Sequence, residues 1–184
     1  HGDIETMSLG EQYDMIYSVG VLQHLDRPEV GFRSLVRHLR PGGILNIWVY
    51  SMEGNAPSIL IFEPLKRVLL RWLPRGALKA LAHLCLGFLL ILTHTVYRLP
   101  LPLPYRRYVQ HFRAQSYSRK LMKVFDKLNA PVTRWFRREN VASWFRDDFD
   151  EVRLRHHLGM SWAGRGRKRQ TADSVGGEQE ENIG

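Results

Sequence analysis

Apolar and polar positions change rhythm several times along the chain. Tyr13-Asp14-Met15-Ile16-Tyr17-Ser18-Val19 is a short, mostly apolar run, the form of a strand covered on both faces of a parallel sheet. A helix is expected to open at Asp26-Arg27-Pro28-Glu29. Asp26 is its cap, Pro28 suits the first turn, and Glu29 is favourable at the positive end of the dipole. Phe32, Leu35, Val36 and Leu39 recur at helical spacing as the inward stripe, with Arg40 near the negative end and Pro41-Gly42-Gly43 as the stop. Ile44 to Tyr50 reads as a second buried strand. Strand, crossover helix and strand imply a right-handed parallel βαβ unit, in which ligands lie at the carboxyl ends of the strands. Those ends fall at 18–25 and 50–55.

From 56 to 134 the alternation stops. Ser58 to Trp72 is expected to be helical, with Leu60, Ile61, Leu65, Val68, Leu69 and Trp72 mostly on one side and Lys66, Arg67 and Arg71 as a basic face. Pro74-Arg75-Gly76 breaks it, and a more apolar helix follows from Ala77 to Tyr97. Its uninterrupted apolar run, Leu84 to Leu92, falls short of the roughly 20 residues of a membrane span. Lys79, His83 and His94 also interrupt it. Two readings stand: a buried helical hairpin, or a peripheral membrane contact through 58–98 in which basic residues meet anionic headgroups. Leu99 to Pro104 alternates leucine with proline and must be extended. Arg138 to Phe145 reads as an amphipathic helix with Val141, Trp144 and Phe145 inward. Glu151 to His157 alternates as a strand, and a last strand is expected around Trp162. The polar, glycine-rich stretch from about Arg165 reads as a disordered tail. The expected organisation is 1–55 as part of a sheet, 56–134 as a helical insertion or lid, 135–165 as a final helix with antiparallel strands, and 166–184 as tail.

Charge adds one refinement. The net charge of +9 over 184 residues suggests a polyanion partner. By segment, however, it is −2 over 1–50, +4 over 51–100, +6 over 101–150 and +1 over the remainder. The basicity belongs to the insertion, no recognised nucleic-acid module accompanies it, and no nucleic acid is expected as partner. The single cysteine, Cys85, excludes an internal disulfide framework and a thiolate metal cluster. His156 and His157 are adjacent, hence on opposite faces of a strand, and no histidine, cysteine or carboxylate set has zinc spacing. Gly-x-Gly-x-x-Gly, the phosphate-loop pattern and Gly-x-Ser-x-Gly are all absent.

Three segments in order carry more information: Gly2-Asp3-Ile4-Glu5, Tyr13 to Leu25, and Leu39-Arg40-Pro41-Gly42-Gly43-Ile44-Leu45. Together they resemble the second half of a class I S-adenosylmethionine-dependent methyltransferase domain. Further on, Val124 to Pro131, Trp144-Phe145 and Gly159 to Gly166 are similar to a bacterial subgroup with a helical insertion after the fifth strand. The resemblance implies a partial Rossmann-like, doubly wound α/β sheet, its C-terminal half, with a helical insertion. It implies S-adenosylmethionine as cofactor. Asp3 then matches the acid that accepts the adenine amine, and the Ile4 amide would donate to the ring. Ser18, Val19 and Gly20 pass under the methionine portion. His24 matches the histidine after that strand, lining the acceptor pocket, acting as a base, or simply packing. Tyr50, His111 and Asp126 are acceptor-pocket candidates by position or chemistry.

Methyl transfer from a sulfonium carries its own leaving group, so no residue is obligatorily catalytic. In the family, a glycine-rich loop and an acidic strand end lie upstream of the matched part. The chain therefore reads as a fragment that is inactive alone. The acceptor is expected to be a small or lipid-like molecule, and the location cytoplasmic with contact at a membrane surface. The competing reading is a non-catalytic, membrane-associated or partner-binding protein on a methyltransferase-like fold.

Overall fold

The computed structural model describes residues 2–70, 72–103, 105–130 and 133–170. Arg71 of the expected basic face, Pro104, Pro131 and 171–184 of the expected tail lie outside these, as do the side chains of Arg67 and Leu69. The chain forms two compact units. One comprises the chain up to Val49, Phe136–Arg155 and the chain from Trp162; the other comprises Tyr50–Trp135 and His156–Ser161.

The first unit is mixed α/β. Strands β1 (Tyr13–Val19), β2 (Leu39–Tyr50), β3 (Phe149–His157) and β4 (Ser161–Lys168) lie in the order β1-β2-β4-β3. β1 and β2 are parallel, with Ser18 opposite Ile47, and helix α1 (Pro28–Arg37) is the crossover between them. Ile47 lies by Gly164, while Gly42 lies by Gln170 and accepts from Arg167, so β4 runs antiparallel to β2.

Several local expectations change here. The cap of α1 is Arg27, not Asp26. Its amide donates to Glu5 Oε1 at 2.8 Å, and its guanidinium pairs with Glu5 Oε2 at 3.1 Å, so a carboxylate distant in sequence does the capping. The helix also stops earlier. His38 leaves it, its buried ring donating from Nδ1 to the Ser34 carbonyl and accepting the Leu9 amide at Nε2, both at 2.8 Å. Leu39 and Arg40 therefore belong to β2, and Pro41-Gly42-Gly43 lies inside that strand. The register is irregular between Tyr13 and Met15, and a Cβ on Gly43 would press on the Arg40 and Asp14 carbonyls. Glycine permits that approach. Arg40 pairs with Asp14 at 3.0 Å on the surface.

The core centres on Phe32, whose ring lies 5.5, 5.0 and 6.0 Å from those of Trp144, Phe145 and Phe149. Val141, Trp144 and Phe145 of helix α6 (Arg138–Phe145) are buried, as the periodicity required. Residues 166–168, expected to open the tail, belong to β4. Gly164 and Gly166 are buried strand positions where any Cβ would strike Phe145. Lys168 Nζ donates to the Val36 and Leu39 carbonyls at 2.8 and 2.7 Å. These glycines are packing requirements rather than a sign of disorder. β1 departs in the other direction: Tyr13, Met15, Tyr17 and Val19 share one face and are exposed, and Ser18 alone on the strand is buried. It pairs with β2 and lies at the edge of the sheet.

The second unit is helical. Glu63–Leu65 (α2) is flanked by wide π-helical turns at Ser58–Phe62 and Lys66–Leu70, around Pro64, which has no amide to donate. Its sidedness is the reverse of the expectation. Leu60, Ile61, Leu65, Val68 and Trp72 are exposed, whereas Lys66 and Glu63 are buried and paired at 2.9 Å. Helix α3 (Arg75–His94) buries Leu78, Ala82 and Leu86 but exposes Leu84, Phe88 and Ile91, so only one side of it fits the buried-hairpin reading. Arg75–Arg98 is long and apolar enough to cross a membrane by length and composition, because its leucines outweigh Lys79 and the histidines. Helices α4 (Arg106–Arg113) and α5 (Tyr117–Asn129) complete the unit. Phe112, Val124 and Leu128 from them pack with the buried face of α3.

Candidate functional site

In the sheet unit the carboxyl end of β1 turns sharply. Gly20 has φ +74°, a left-handed conformation that glycine adopts without strain, and its amide donates to the Trp48 carbonyl at 3.0 Å. A short 3-10 turn, Leu22–His24, follows. It buries Leu22 and Gln23 and leaves His24 exposed. Two polar atoms are enclosed here without a hydrogen-bond partner: Ser18 Oγ and Gln23 Oε1. Orphaned buried polar atoms are rare in folded proteins and mark a place where a partner is due. Gln23 was not among the sequence candidates; its position between Leu22 and His24, on the exit from β1, was the available signal. Val19 is exposed. Asp3 is exposed too, and its Oδ1 accepts the Glu5 amide at 2.9 Å while Ile4 packs against the core.

In the helical unit, Tyr50 is stacked on Trp135 at 5.1 Å between centroids, with Lys127 Nζ 6.0 Å over its ring. Burial, reinforced by Tyr108, Asp126 and Glu63, pushes the Tyr50 phenol up to about 12. Tyr50 and Asp126 thus share one neighbourhood, whereas His111 is exposed on α4 and is not part of it. Burial lowers Lys127 below the usual lysine range, with Glu63 opposing and Lys66 adding to the shift. Residues 50–55 are occupied by the chain's own bonds. The Asn55 amide donates to the Ser51 and Met160 carbonyls at 2.8 Å each, and the Ser51 amide donates to Met160 at 3.1 Å. Among the described residues no three histidines, cysteines or carboxylates come together as a metal site.

Comparison with known proteins places the first segment. A family described as a methyltransferase domain matches residues 1–47. An uncharacterized protein of Synechococcus sp. is 44% identical over 52 residues, 28% of this chain and 12% of that protein. A ubiquinone biosynthesis O-methyltransferase of Rhizobium etli is 29% identical over 72 residues, 39% of this chain and 28% of that enzyme. An O-methyltransferase family protein from Burkholderia thailandensis superposes with a TM-score of 0.42 at 11% identity, over 89% of this chain and 32% of that one. The chain thus spans well under a third of the curated relatives it matches.

Proposed function

We propose, from the premise that residues 1–47 match a family described as a methyltransferase domain, that the chain is the C-terminal part of a class I S-adenosylmethionine-dependent methyltransferase acting on a small-molecule acceptor. The observation that carries this reading is the end of β1. A left-handed glycine sits beside two buried, unpartnered polar atoms, Ser18 Oγ and Gln23 Oε1, at the strand edge where this fold class binds its ligands. These residues fit one side of the cofactor. Ser18, Val19 and Gly20 would hold it by backbone and close approach. The Asp3 carboxylate, already accepting one backbone amide, has a second oxygen for the adenine amine, and Ile4 supplies the adjacent amide.

The cofactor supplies the methyl group on a sulfonium. The chain's task is positioning, and His24, exposed past the strand end, is the nearest candidate to accept a proton from an acceptor that needs one. The open edge of β1, with Tyr13, Met15, Tyr17 and Val19 on one exposed face, supports the fragment reading: in the complete protein further strands pair with that edge and helices cover that face. Calorimetric titration tests both parts. The 184-residue chain alone is expected to bind S-adenosylmethionine far more weakly than micromolar, and the protein with its upstream sequence to bind it well. Micromolar binding by the chain alone overturns the fragment reading.

The acceptor is lipid-like in this proposal, and the helical unit touches a membrane surface through 58–98, at the cytoplasmic side. The exposed Leu60, Ile61, Val68, Leu84, Phe88 and Ile91, within a segment of net charge +5, support this. The name of the Rhizobium etli relative agrees with an oxygen acceptor. Co-sedimentation with anionic vesicles is the test; a protein that stays in the supernatant counts against membrane contact.

A further inference from the structure

The helical unit encloses a cavity of about 200 Å³ beside Leu89, Leu92, Tyr97 and Phe112. Its lining is mostly apolar, and Tyr105, Lys123 and Lys127 are among the few polar side chains that contribute to it, with Ser58 and Thr93. Lys123 and Lys127 are one helical turn apart on α5 and so share a face. Neither forms an ion pair among the described residues, and Glu63, the carboxylate whose charge acts on Lys127, is already paired with Lys66 at 2.9 Å. The Tyr105 hydroxyl is buried with no partner at hydrogen-bond geometry, although Ser58 lies beside it. Its backbone is held at φ +61°, which costs a bulky residue energy and places this ring at the start of α4.

A donor without an acceptor and two lysines without a counter-ion lack the same thing, a single anionic oxygen head. The cavity adjoins a more open apolar groove of about 460 Å³, lined by Phe62, Leu84, Phe88 and Leu128, and the two share Leu89, Val124 and Lys127. A water-sized group takes about 30 Å³, so the cavity admits a head and its first few atoms and the groove admits a chain.

We propose that this cavity and groove form one binding site for an amphipathic acid, its anionic head on Tyr105, Lys123 and Lys127 and its apolar tail along Leu84 and Phe88. The inference rests on the lipid-like acceptor reading above and gives that acceptor a place and a charge. Binding is measured without cofactor, so it stands or falls apart from methyl transfer.

The test is calorimetry on the full 184-residue chain with dodecanoate, dodecan-1-ol and acetate, the first two below their aggregation concentrations. Dodecanoate is expected to bind at least about tenfold tighter than dodecanol, since hydrogen bonds to a charged head are the strong ones, and acetate weakly. Tyr105→Phe and Lys127→Gln should each shrink the preference for acid over alcohol while leaving dodecanol affinity unchanged. Leu89→Trp, which fills the junction, should abolish binding of both. Should Lys127→Gln fail to fold, Tyr105→Phe, which keeps the ring, carries the test. Equal affinity for acid and alcohol overturns the proposal. So does a Leu89→Trp chain that binds both as before, or a Tyr105→Phe chain with its preference intact. If dodecanoate binds as expected and the longer protein proves unable to bind S-adenosylmethionine, the site survives and the methyltransferase reading does not.

Discussion

The two units use their apolar residues in opposite ways. In the sheet unit the inward stripe of α1 is buried, and the α6 stripe closes over Phe32 as a cluster of four aromatic rings. In the helical unit an ion pair is buried while Leu60, Ile61 and Val68 of the same segment face outward. Burial of apolar surface is the dominant favourable term in folding, and a buried ion pair adds little net stability. The difference teaches that the first unit packs its apolar stripes inward around Phe32, whereas the second combines an apolar core on one side of α3 with a buried ion pair and leaves many of its large apolar side chains outside. Such an exterior is a surface for another apolar phase.

Four measurements break or sharpen that contrast. Phe32→Ala is expected to cost about 3–5 kcal/mol in urea denaturation, with hydrogen-exchange protection lost first in the sheet unit. Simultaneous loss of protection in both units would show that the division is geometric only. Lys66→Met strands Glu63 in a buried site and should also cost about 3–5 kcal/mol, whereas Glu63→Leu with Lys66→Met should return stability to near or above the parent. A double variant as unstable as the single one would mean that the pair holds the unit together. Tyr50 gives a pH signature. Its folded phenol is pushed up to about 12 from 10.0, so its contribution is intact below pH 10 and is lost as pH rises from 10 through 12, about 2–3 kcal/mol in all. Near-ultraviolet absorbance of tyrosinate and the alkaline limb of stability follow it, and Tyr50→Phe should flatten that limb. Smallest of all, Ile61→Ser and Val68→Ser should change stability in water by no more than about 0.5 kcal/mol while reducing sedimentation with anionic vesicles. A loss of several kcal/mol would place these residues in a core.

Legibility in the sequence follows the same division. The parallel βαβ unit, α6 and the last two strands were readable: α1, β2, α6 and β4 bury sets whose period matches their element, while β1 shows as an apolar run and β3 as an alternation although both are mostly exposed. Errors in that unit arose where a distant residue replaced a local one. Glu5 caps α1 in place of Asp26, and Phe145 demands Gly166, which composition assigns to a tail. In the helical unit, periodicity located the segment from Ser58 but assigned it the wrong face, because hydropathy cannot tell an inward apolar stripe from an outward one. Helices α4 and α5 went unread, although Ser116 as cap of α5 with Leu121, Val124, Phe125 and Leu128 at helical spacing was a usable signal. At the candidate site, Ser18 and Gly20 enter through the family resemblance. Gln23 was not a candidate, because its enclosure depends on the turn that follows β1.

The sheet unit is assembled from both ends of the chain: Arg33 pairs with Asp148, and Lys168 reaches the carbonyls of Val36 and Leu39. The helical unit is nearly continuous, from Tyr50 to Trp135. During synthesis the helices therefore have their partners at hand as soon as they emerge, whereas α1 and β2 must wait about 120 residues for β3 and β4 to complete their core. Within these residues maturation does not follow sequence order: the helical middle can complete its contacts before the sheet segments that bracket it find each other.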